Sequence, residues 1–162
     1  MSINIEVETW EVMLAISTYI TLMENVGVLT EDITRETFET AREFTPVAKD
    51  RPLWGGGIRK GGTLRDSWNM EIINPRLGVV FNTAPYGAYV ELGRTGGITI
   101  YPKKGKVLVF WKEEQWHFSK YATLSALKPA NIIGRTLEKI VSKMEMFFNR
   151  WSELVYRHVL EI

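Results

Sequence analysis

The chain has 162 residues, 45% hydrophobic and 24% charged, with a formal net charge of +1 and no cysteine. That length suits a single domain burying roughly 70% of its unfolded surface, which needs no covalent staple to keep a core. Zero cysteine excludes disulfides, thiolate metal sites and thiol nucleophiles, and 6 Trp, 6 Tyr and 7 Phe exclude a chain disordered throughout.

Uninterrupted apolar runs such as Val107 to Trp111 fall far short of the about 20 residues that cross a bilayer. The opening residues, Met1-Ser2-Ile3-Asn4-Ile5-Glu6, lack the basic and apolar regions of a secretory signal. The expectation is a protein that stays in the cytoplasm where it is made, without a membrane partner. Its small net charge conceals a division. Residues 1–43 carry nine acids against Arg35 and Arg42, a net of −7, whereas residues 44–162 carry 18 bases and ten acids, a net of +8. Such asymmetry suits complementary surfaces or a charged partner, and solvated helix faces would also produce it.

In chain order, Trp10, Met13, Leu14, Ser17, Ile20 and Met23 recur at helical spacing. Gly27 interrupts that pattern, and Thr30 followed by Glu31 and Asp32 reads as the N-cap of a second helix. Leu29, Ile33, Thr37, Ala41 and Phe44 would line it, and Pro46 should end it near Thr45. Residues 48–63 hold five glycines among Arg51, Arg59 and Lys60, which predicts a long, flexible, basic loop. Ser67 to Ile73 and Leu77 to Asn82, separated by Asn74-Pro75, read as a β-hairpin. Further strands are expected at Ile98 to Tyr101, Lys106 to Trp111 and Trp116 to Tyr121, the last two joined by a turn at Lys112 to Gln115. The C-terminus should be a helix over about 131–158, with Ile133, Leu137, Ile140, Met144, Phe147, Trp151 and Leu154 as a heptad-like seam. The predicted class is α+β: N-terminal helices and a long C-terminal helix on an antiparallel sheet, in one domain.

Catalytic constellations are missing from the sequence. Gly55 to Thr63 lacks the Gly-Lys-Ser/Thr ending of a phosphate loop. His117 and His158 have no partner at ligand spacing, and Ser67 lies in Arg-Asp-Ser-Trp-Asn rather than a nucleophile elbow. The sequence argues against an enzyme and calls for no cofactor or metal. Lys103, Lys104, Lys106 and Lys112 beside Tyr101, Phe110 and Trp111 leave a nucleic-acid-binding module open, using the basic loop and aromatic sheet. Core packing with edge-protecting lysines is the reading favoured over base stacking.

Four segments carry a resemblance. Thr45-Pro46-Val47 follows a helix containing Ala41-Arg42, and Gly62-Thr63-Leu64-Arg65-Asp66-Ser67 follows the glycine loop. Asn82-Thr83-Ala84-Pro85-Tyr86-Gly87-Ala88-Tyr89-Val90-Glu91-Leu92-Gly93 then leads to Ile100-Tyr101-Pro102-Lys103-Lys104-Gly105-Lys106. Lys128-Pro129-Ala130-Asn131 opens the last helix. In this order the segments resemble the small neck or tail-completion proteins of long-tailed bacteriophages, over residues 30–142. The resemblance implies a virion structural protein at the head–tail junction, a neck, tail-completion or tail-terminator ring. Such a ring, a hexamer by preference, would join the tail-tube protein to the head connector or head-closure protein. Genomic DNA would pass through its channel without sequence-specific binding.

In that setting Pro85 and Gly87 would shape a tight connection, and Tyr86 and Tyr89 would offer hydroxyls at a partner-facing rim. Glu91 would hold a backbone amide or a neighbouring arginine, or remain a solvated acid. The candidate subunit- or partner-interface residues are Arg59, Lys60, Leu64, Arg65, Pro85, Tyr86, Tyr89, Glu91, Arg94, Lys103, Lys104 and Trp151.

Overall fold

A computed structural model describes residues 9–160. Helices and antiparallel strand pairs make the class α+β, as the sequence implies. The strands form four two-stranded sheets rather than one continuous sheet. Contacts divide the chain into two compact units that both draw on the long helices: residues 1–38, 70–80 and 138–162, and residues 39–69 and 81–137.

The first unit is built on helix α1, Thr9–Phe44. Gly27 does not interrupt it, because one glycine costs a helix only about 1 kcal/mol and neighbours can supply that. The site where a Cβ would stand at Gly27 lies 3.6 Å from Pro75 Cβ. Thr30, expected as an N-cap, instead donates its hydroxyl to the Pro75 carbonyl at 2.7 Å. Pro75 belongs to the turn between strands β3 (Trp68–Asn74) and β4 (Leu77–Asn82), where Asn74 Oδ1 accepts the Arg76 amide. At Gly78 an added Cβ would stand 1.8 Å from Thr34 Oγ1, so β4 approaches α1 as only glycine allows. Arg150 of the C-terminal helix reaches Asp32 of α1 at 3.2 Å, and Lys143 pairs with Glu36.

In the second unit, Ala41, Leu64 and Ile132 form the buried core, with Phe44, Trp68, Ala84, Tyr86, Val90 and Ala130 against them. Thr45 is buried and links two elements: the Trp68 indole donates to its hydroxyl at 2.8 Å, and that hydroxyl donates to the Ala41 carbonyl. Helix α2 (Thr63–Asp66) is tied to the end of β4 by Asn82, whose amide donates to the Leu64 carbonyl at 2.8 Å. Tyr86 precedes helix α3, Gly87–Leu92. Gly93, not Gly87, carries the left-handed backbone, with φ 71 and no room for a Cβ beside the Leu127 carbonyl.

The basic loop is partly ordered: β1 (Arg51–Pro52) pairs with β2 (Ile58–Arg59) across Gly55, Gly56 and Gly57, all at positive φ. Strand β5 (Ile98–Ile100) pairs with β8 (Ala122–Leu124), and between them in sequence lies the hairpin of β6 (Leu108–Lys112) and β7 (Gln115–Ser119). Its two-residue turn places Glu113 and Glu114 at φ 51 and 62, the geometry that matches strand twist.

Helix α4, Ile132–Leu160, starts one residue later than expected, and the predicted seam is buried in part: Ile140 and Phe147 are buried and Trp151 and Leu154 half-buried. Ile132, Thr136, Ile140, Phe147 and Val155 are its buried residues, while Ile133, Leu137 and Met144 of that seam are exposed. The heptad pattern located an apolar arc wider than one buried stripe.

Candidate functional site

Four of the sequence-predicted interface residues, Arg59, Lys60, Leu64 and Tyr86, meet at one groove of about 430 Å³ in the second unit. Its wall bears Lys49, Arg51, Arg59 and Lys60, and its lining residues include no acid. Its floor is apolar: Val47, Leu64, Val90 and Leu127, with the Tyr86 ring. The β1–β2 pairing sets Arg51 directly opposite Arg59. Asp50, beside them, accepts the Gly61 amide at 2.7 Å and thereby holds the wall's return. Lys49 and Arg51 were not singled out as interface residues, although the same run of basic residues and glycines pointed to them.

The remaining candidates scatter. Leu64 is 6% exposed: it belongs to the core and contributes to the groove only as part of its lining. Glu91 is not a partner-facing acid: its carboxylate accepts the Ile132 amide at 2.8 Å and the Ile133 amide at 3.0 Å. It caps α4, the backbone-amide reading of the three the sequence left open. Arg94 pairs its backbone with Leu127 and donates its guanidinium to the Ser125 carbonyl at 3.3 Å. Arg65 lies beside Asp66 and lines a small recess with Glu39 and Glu43. Pro85 and Tyr89 are exposed at and before α3. Lys103 and Lys104 are exposed between β5 and β6 and do not line the groove. Trp151 sits in the first unit, half-buried, 5.4 Å from the Phe148 ring, its indole N–H buried without an acceptor.

A second recess, of about 410 Å³, also borders the β1–β2 hairpin, where Arg51 and Arg59 line it with Trp54, Trp111 and Trp116. Trp54 stands edge-on to Trp116 and Phe118, both at 5.1 Å between ring centres. The glycine tip thus has an anchor that glycine content alone concealed. At the turn of the β6–β7 hairpin, the Lys112 ammonium hydrogen-bonds Glu113 and holds its carboxyl below the usual range.

Two apolar helix surfaces are exposed, and both include residues of the stripes that the sequence pattern marks. On α4, Ile133, Leu137, Val141, Met144 and Phe148 are all exposed and fall within an arc of about 80° at 3.6 residues per turn. On α1, Val12, Met13, Leu14, Ile16, Tyr19 and Ile20 are exposed. Val12–Phe44 includes a window of mean hydropathy 1.5, long and apolar enough to cross a membrane by length and composition. Ser17, Thr18 and Thr21 break the uninterrupted run without making the segment polar, which is why counting runs missed it.

Chemistry at the isolated polar residues is local. The Ser67 hydroxyl donates to the Thr63 carbonyl at 2.6 Å, and His117 stacks on Phe110 with Nε2 3.1 Å from the Lys112 carbonyl. Among the described residues no group of three His, Asp or Glu side chains could hold a metal ion. No family model, curated protein or solved structure matches the chain.

Proposed function

We propose that this chain is an assembly subunit of a phage head–tail junction, a neck, tail-completion or tail-terminator ring component that joins tail tube to head connector. The observation that carries assembly is the uncovered apolar surface. Among the described residues six hydrophobic side chains are buried, against 33 large hydrophobics left exposed. Single exposed hydrophobics are ordinary, but a contiguous stripe such as that on α4 marks a surface meant to be covered. A ring of identical subunits covers such surfaces by heterologous contacts, one face of each copy meeting a different face of the next. The junction itself is named by the resemblance of residues 30–142. Several of its motif residues, Thr45, Leu64, Asn82, Tyr86 and Glu91, hold the second unit together.

Negative-stain electron microscopy of the full chain, alone and mixed with tail-tube and connector proteins, tests the reading. Closed rings are expected. A chain that stays monomeric with every such partner would overturn it. The second reading, a nucleic-acid-binding module, draws support from Arg51 and Arg59 beside Trp54, Trp111 and Trp116. It requires binding to DNA that weakens steeply with salt, because phosphate contacts release counterions.

A further inference from the structure

We propose that the basic groove of the second unit receives the N-terminal segment of another copy of this chain. This rests on the assembly reading above and names the surfaces that meet. The groove asks for two things at once: carboxylates for Lys49, Arg51, Arg59 and Lys60, and apolar side chains for a floor of Val47, Leu64, Val90 and Leu127. A phosphate backbone would satisfy the cations and leave the floor unmatched. An acidic, apolar-interleaved peptide satisfies both.

Such a peptide opens this sequence. Ile3, Ile5 and Val7 alternate with Asn4, Glu6 and Glu8. This alternation interleaves three aliphatic residues with two acids, the two classes of side chain that the groove's lining calls for. The acidic excess of residues 1–43 and the basic excess of the remainder give the contact its sign. Joining one copy's beginning to the next copy's groove is a heterologous contact, which closes into a ring when its rotation permits.

Charge exchange in the full-length protein tests this. Arg51→Glu/Arg59→Glu/Lys60→Glu leaves Lys49 against three glutamates, so groove and segment are both acidic, and Glu6→Lys/Glu8→Lys makes both basic. Each variant alone should self-associate about tenfold or more weakly than the parent in sedimentation velocity, since like charges now face each other. An equimolar mixture should recover assembly, because every junction then pairs an acidic with a basic surface. Recovery also shows that both variants are folded. Undiminished self-association of either variant would overturn the proposal while leaving ring assembly intact. So would loss of both without rescue on mixing. If Arg51→Glu/Arg59→Glu/Lys60→Glu abolished DNA binding yet assembled normally, the groove would be a nucleic-acid site and the proposal would fail. A parent chain that is monomeric with every neck and tail partner would remove both this proposal and the reading beneath it.

Discussion

Glu91 stands at the end of α3 and reaches across to the first turn of α4, where four backbone amides have no partner within the helix. Its carboxylate takes the amides of Ile132 and Ile133, and the Glu91 and Val90 carbonyls take those of Asn131 and Ala130. A charged acceptor at a helix N-terminus gains from the helix dipole as well as from the bonds. Glu91→Ala should therefore cost about 1–2 kcal/mol in urea unfolding. Glu91→Gln, which keeps one acceptor oxygen, should lie between the two. A loss below about 0.3 kcal/mol, the size of an ordinary surface change, would mean that the cap does not hold α4 in solution. The same scale explains Thr45. The hydroxyl beside Pro46 passes a hydrogen bond from the Trp68 indole to the Ala41 carbonyl, which isoleucine or valine could not do.

At the scale of elements, two glycines on facing surfaces of the first unit make opposite predictions. Gly27 sits inside α1 with helical backbone, and an added methyl would meet Pro75 at ordinary contact distance. Gly27→Ala should raise stability by about 0.5–1 kcal/mol through helix propensity. Gly78 lies where an added methyl would collide with the Thr34 hydroxyl and Cβ, so Gly78→Ala should cost about 1–3 kcal/mol by overpacking. Thermal unfolding of both variants checks the pair, and equal effects would contradict the close approach of β4 to α1.

These sites also show what the sequence made legible. The Asn74-Pro75 hairpin, the polar turn at Glu113 and Glu114 and the long C-terminal helix were readable because each depends on neighbours in sequence. A continuous α1 was not, since the carbonyl that takes the Thr30 hydroxyl belongs to Pro75, 45 positions away. The cap of α4 was hidden for the same reason, coming from Glu91, 41 positions before Ile132. The groove was half legible. Its cations stand close in sequence, but its floor comes from Leu64, Val90 and Leu127, which only the fold brings together.

For the molecule as a whole, charge and apolarity make separate demands on a partner. Charge, divided at residue 43, sets which surfaces attract, and it steers encounter more than it adds affinity. Affinity must come from apolar burial, for which the α4 stripe is the sharpest test because it runs about 22 Å along one helix. Leu137 and Val141 are 55% and 68% exposed, whereas Ile140 between them is 6% exposed. If neighbouring copies cover the stripe, Leu137→Glu/Val141→Glu should leave the unfolding of the dilute chain within about 0.5 kcal/mol of the parent. The same variant should lose ring assembly, because two carboxylates would enter an apolar contact. Ile140→Glu should instead destabilise the single chain severely, burying a charge inside the first unit. Both measurements belong on the same preparations: chemical unfolding at low concentration and sedimentation at high concentration. Should Leu137→Glu/Val141→Glu unfold the dilute chain as Ile140→Glu does, the stripe is already covered within one molecule. Assembly would then lose the observation on which it stands.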